Sequence, residues 1–69
     1  MENLTVHGHS VNFEAGAKEG VYYLYYLGYD QAEEIFNKAA NNGSTSFTCS
    51  AGGYKLTLAG SSYTVSKSY

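Results

Sequence analysis

The chain has no arginine, no tryptophan and no proline, a single cysteine and no acidic residue beyond position 34. Without arginine there is no agent for bidentate reading of guanine or clamping of phosphate, and a net charge of −2 offers no general attraction to polyphosphate or anionic lipid. Direct nucleic-acid binding and membrane binding are therefore not expected. Cys49 has no partner for an internal disulfide, and no Cys/His array has structural-zinc spacing, so the domain must hold itself together by packing. Long apolar runs are also missing. The longest, Val21 to Leu27, is far too short to cross a bilayer. The first ten residues lack a basic start followed by an apolar stretch, and with the lone free thiol this points to a reducing, cytoplasmic setting.

What remains is apolar and aromatic. Sixty-nine residues are 43% hydrophobic and 16% aromatic, with eight tyrosines. Such a chain can fold, but one domain of this size buries only about 60% of the surface its unfolded form exposes, so stability is narrow. The length excludes a multi-domain enzyme or an ordinary nucleotide-binding α/β fold. Charge is unevenly placed: residues 1–34 hold all six acids and one lysine, a formal −5, while residues 35–69 hold three lysines and no acid, +3. A solvated surface accounts for that split; so does a polarised one whose acidic side meets a basic partner.

Periodicity supplies the architecture. Ala32, Ile35, Phe36, Ala39 and Ala40 recur at helical spacing between Gln31 and Asn41, with Asp30 as N-cap, Glu33 at capping-box spacing, Glu34 and Lys38 as an i,i+4 pair and Gly43 as terminator. After it the period drops to two. Phe47, Cys49 and Ala51, then Tyr54, Leu56 and Leu58, then Tyr63 and Val65 alternate with Thr, Ser and Lys, with breaks at Gly52-Gly53 and Gly60-Ser61-Ser62. This predicts a three-stranded antiparallel meander with one apolar face, on which the helix packs. Upstream, Leu4 and Val6 alternate in one phase and Val11, Phe13 and Ala15 in the other, which requires a bulge or a turn at Gly8. Val21 to Leu27 fits a strand by length and by its valine and tyrosines, although Val21, Leu24, Tyr25 and Gly28 also share a helical face. The expected fold is α+β, one helix on an antiparallel sheet in the order β-β-α-β-β-β, a single domain over residues 1–69.

Several residue groups are candidates for chemistry. Tyr22, Tyr23, Tyr25, Tyr26 and Tyr29 put five phenols within eight residues. Tyrosine gives a small core its bulk, and when exposed it supplies rigid contact area with a polar tip, as at recognition surfaces. His7 and His9 have a spacing that can chelate a metal, but two turn histidines around Gly8 are the commoner meaning of such a pair, so no metal or cofactor is expected. Cys49 falls in the inward phase and reads as a small buried hydrophobe. No strained Gly-x-Ser-x-Gly elbow, phosphate loop or paired-carboxylate arrangement is present, so catalysis is not expected.

In size, element order and acidic balance, with one short helix from Asp30 to Gly43 on an antiparallel sheet, the chain resembles the small phage- or mobile-element-encoded inhibitors of the anti-CRISPR kind. The resemblance spans most of the chain and rests on architecture, with no motif from which functional residues could be carried over. It implies a non-catalytic viral protein that binds a larger protein partner, such as a nucleic-acid-handling complex, and occludes its basic surface. From the residues themselves, the contacts are expected from Tyr22, Tyr23, Tyr26 and Tyr29, with Glu14, Glu19, Asp30, Glu33 and Glu34 steering the approach. The alternative is a structural module that forms a homo-oligomer through an exposed sheet face or edge.

Overall fold

In the computed structural model, residues 2–50 and 52–68 are described. The elements are β1 (Glu2–Val6), β2 (His9–Phe13), a single 3-10 turn (Ala15–Ala17), α1 (Lys18–Tyr26), α2 (Tyr29–Asn42), β3 (Ser44–Cys49), β4 (Gly52–Ala59) and β5 (Ser62–Lys67). The class is α+β as expected, but with two helices in place of one. The five strands form one sheet in the order β1-β2-β5-β4-β3. Both hairpin units are antiparallel, and the C-terminal meander is the one the alternation predicts. The sheet is nevertheless mixed, because β2 and β5 pair in parallel, Val11 opposite Tyr63 and Phe13 opposite Val65.

The phase change at Gly8 is a tight turn. Val6 pairs with His9, and the two residues between them, His7 and Gly8, both have positive φ (50° and 85°), the signature of the two-residue hairpin turn whose twist matches that of its strands. The break foreseen at Gly52-Gly53 falls earlier: both glycines belong to β4, opposite Cys49 and Thr48, and Ala51 lies outside the described residues. The second turn, at Gly60-Ser61, is as expected, with Ser62 already in β5 opposite Ala59.

The segment expected as a strand, Val21 to Leu27, is helical as far as Tyr26, and Leu27 is the extended C-cap. Ala17, Gly20, Val21 and Leu24 are buried at helical spacing, and the helix begins at Lys18, which makes it longer than the glycine-bounded run suggested. Gly20 misled the length estimate because it is not a breaker. It lies inside the helix where the backbone crosses the ring of Tyr54, and a Cβ built there would sit 2.7 Å from that ring. Burial of one face thus overrides the β propensity of valine and tyrosine.

The second helix starts two residues earlier than its polar cap predicts. Gly28 is the N-cap and makes no side-chain cap bond; Asp30 lies in the first turn, where a carboxylate suits the positive end of the helix. Gly43 ends it in the left-handed conformation at φ 86°. The i,i+4 pair forms, Lys38 Nζ to Glu34 at 3.6 Å.

Register explains why one sheet face is covered and the other open. Val6, Val11, Phe13, Phe47, Tyr54, Leu56, Tyr63 and Val65 point to one side, where Ala17, Val21 and Leu24 of the first helical segment and Ala32, Phe36 and Ala39 of α2 complete a single core. The opposite face is polar. One row crosses all five strands as Asn3, Asn12, Thr64, Thr57 and Ser44. The Asn3 amide donates to Ser10 Oγ (2.8 Å) and Asn12 Oδ1 (3.0 Å) on the neighbouring strand.

Candidate functional surface

With its apolar stripe spent on the core, α1 presents its remaining residues outward. Tyr22, Tyr25 and Tyr26 are 38%, 49% and 80% exposed, and Tyr29, at the start of α2, is 59% exposed. These are the exposed large hydrophobic residues among those described, three on α1 and one at the start of α2. The rings brace one another: Tyr25 meets Tyr26 edge-on at 5.5 Å between centroids, and Tyr22 lies 6.5 Å from Tyr26. Three exposed phenols thus share the outer side of α1, and a fourth follows at the first residue of α2.

Beside these rings is a groove of about 400 Å³, lined by Glu19, Tyr22, Tyr23, Tyr26, Leu27, Cys49 and Ser50. The first five recur at i, i+3, i+4, i+7 and i+8, so one side of α1 and its C-cap forms one wall. The end of β3 forms the other. Tyr23 is half-buried and fixed, its ring stacked on Phe47 at 5.9 Å, which in turn stacks on the buried Tyr54. Cys49, expected as a buried hydrophobe, packs against the core but is only half-buried and opens into this groove, because it is the last residue of β3.

A second cluster gathers around the N-terminus of α2. The ring of His9 stacks on Phe36 at 4.3 Å, and its Nε2 donates to Glu33 at 2.9 Å. That hydrogen bond is the main reason Glu33 ionises below the usual glutamate range; burial opposes it, and a hydrogen bond from Tyr29 assists. The same carboxylate, as acceptor and as charge, raises the Tyr29 phenol above its ordinary range. His7 Nε2 donates to the Leu27 carbonyl at 3.1 Å and its ring meets Tyr29 edge-on, tying the β1–β2 turn to the α1–α2 turn. The two histidines therefore do not share a strand face: His7 is in the turn and His9 points under the helices. Among the described residues no group of three or more His, Cys, Asp or Glu is placed to hold a metal ion.

Of the residues singled out from the sequence, Tyr22, Tyr23, Tyr26 and Glu19 meet at the groove, and Tyr29, Asp30 and Glu33 meet at the start of α2. Glu14 is exposed at the approach to the 3-10 turn, and Glu34 is exposed on α2 beside Lys38. Sequence reasoning missed Leu27, Ser50 and Lys18, whose ammonium lies 5.6 Å over the Tyr22 ring, and it left Tyr25 out of the expected contact residues. A helical reading of residues 18–26 would have separated the exposed tyrosines from Val21 and Leu24. No local signal could have joined His9 to Glu33, which are far apart in the chain. Comparison with protein-family models, with curated proteins and with solved structures finds no match.

Proposed function

We propose that this protein is a non-catalytic binding module that docks through the tyrosine face of α1 onto a basic surface of a larger protein. The observation that carries the reading is the exposure of Tyr22, Tyr25 and Tyr26 together on α1, with Tyr29 exposed at the start of α2, in a domain that has few large apolar residues to spare. Phenols in such a place contribute contact area with little loss of side-chain entropy. Glu19, Asp30 and Glu34 are exposed on or beside the same helices and favour a partner of opposite charge. An inhibitor that covers the phosphate-binding groove of a nucleic-acid-handling complex is one form this function takes, and its small acidic build suits that role.

The test is affinity capture from the native cell with the wild-type chain and with a Tyr22→Ala/Tyr26→Ala/Tyr29→Ala variant, folding being checked by circular dichroism. Loss of a reproducible, salt-sensitive partner in the variant supports the reading; equal recovery with both chains rules the surface out. A self-associating module is the second reading, favoured by the unpaired outer edges of β1 and β3. Light scattering at micromolar concentration decides that, since a strict monomer removes it.

A further inference from the structure

The groove beside α1 has a chemistry more specific than its apolar character. Its lining comprises three phenol rings, Leu27, Cys49, Ser50 and one formally charged group, the carboxylate of Glu19; no cationic side chain lines it. Aromatic faces carry negative potential, and several of them around a carboxylate make an environment that accepts an alkylammonium group and repels an anion. The protein already shows one such contact, the Lys18 ammonium 5.6 Å from the Tyr22 centroid. The Tyr22 and Tyr26 centroids are 6.5 Å apart with their planes inclined at 60°, so a cation seated beside the pair on the groove side can lie within the roughly 6 Å reach of both. Tyr23, held by its stack on Phe47, provides a wall that need not be ordered on binding.

We infer that this groove is a lysine-side-chain pocket: it receives the alkylammonium of a lysine from the partner's basic surface, the stem lying along Leu27 and the rings and the charge lying between Tyr22, Tyr26 and Glu19. The inference rests on the docking function proposed above and names what that site recognises. Leucine and the ring edges cover the four-carbon stem, while the carboxylate and the π faces take the charged end, which matches the divided character of lysine itself. N-methylation strengthens the fit, because a quaternary ammonium keeps its charge, is more weakly hydrated and needs no hydrogen-bond acceptor from the pocket.

The experiment is an NMR titration of the tyrosine ring protons with three blocked amino acids: lysine, Nε-trimethyllysine and norleucine, the last having the stem without the charge. Saturable shifts at Tyr22, Tyr23 and Tyr26 are expected with both cations, trimethyllysine binding at least as well as lysine, and norleucine at least about fivefold weaker, the difference one or two cation–π contacts provide. Glu19→Gln lowers the preference for lysine over norleucine, and Tyr26→Ala abolishes saturable binding; Tyr26 is 80% exposed, so its loss leaves the fold intact. Norleucine binding as tightly as the cations, or no saturable shift at these tyrosines, overturns the inference. Failure here with loss of partner capture in the tyrosine triple variant removes the lysine pocket and leaves the docking surface. Success here with capture unaffected does the reverse.

Discussion

Replacing Gly20 by alanine tests the close approach of α1 to the sheet. In an exposed helix interior this change is favourable by about 1 kcal/mol, because alanine loses less backbone freedom. Here the new methyl would lie 2.7 Å from Cγ and Cδ1 of Tyr54 and 3.0 Å from Cδ2. Ordinary carbon–carbon contact needs about 3.5–4.0 Å, so the helix and the ring must separate by roughly 1 Å. The ring cannot give way. Tyr54 is 1% exposed and stacks on Phe47 at 5.9 Å, with Tyr23 stacked on Phe47 beyond it. Overpacking of this kind costs about 1–3 kcal/mol, and the upper half of that range applies where a rigid ring is hit on its face. Set against the helical gain, Gly20→Ala is expected to destabilise by about 1–2 kcal/mol, lowering Tm by roughly 5–15 °C for a domain of this size. Thermal melts and urea titrations followed by circular dichroism measure this. Gly16→Ala, where nothing lies within 4 Å of the new methyl, serves as control and should be neutral or slightly stabilising. If Gly20→Ala proved as stable as wild type, or if its cost persisted unchanged in a Tyr54→Val background, the clash would not be what fixes glycine at this position.

Phe36 is fully buried, stacked on His9 and set edge-on to Tyr63 at 4.8 Å, so Phe36→Ala should cost about 3–5 kcal/mol; in so small a domain the expected outcome is loss of the cooperative thermal transition. Glu33 ionises below the glutamate range in the fold, so its stabilisation is present above the unfolded value of about 4.3 and is lost as pH falls through the lower folded value. Urea titrations across pH 3–6 should show wild type losing stability more steeply than Glu33→Gln, and parallel curves would refute the assignment. The Tyr29 phenol is raised by Glu33, so its contribution runs the other way, present below about pH 10 and lost at higher pH; Tyr29→Phe should flatten that alkaline limb. Tyr26→Ala, at a position 80% exposed, should change stability by less than about 0.5 kcal/mol while weakening partner capture.

The parts of the fold carried by periodicity were legible in the sequence. The meander and α2 follow from alternation at period two and at 3.6, because each buries one face against the other. The first helix was not legible, since its apolar stripe uses Ala17 and Gly20, residues too small to register as hydrophobic, and Gly20 resembles a boundary unless the Tyr54 ring beneath it is known. The parallel pairing was equally hidden. Nothing local distinguishes a β2 that pairs with β5 from one that pairs with a nearer strand, and the choice is made by the helices, which occupy the space between them in sequence. For the surface, the tyrosine run announced itself by composition, but on a strand it would have been divided between two faces; on α1 the rings of Tyr22, Tyr25 and Tyr26 come out together, and Tyr29 is exposed at the start of α2.

Parallel pairing of β2 with β5 also orders events during synthesis. The β1–β2 hairpin is made first, yet the strand that must lie beside Val11 and Phe13 begins about fifty positions later. At roughly 5–20 residues per second the hairpin waits about 3–10 s on the ribosome with its inner edge unpaired, longer than any helix or hairpin here needs to form. During that interval the growing chain is a substrate for chaperones and for sticking to its neighbours on the same message.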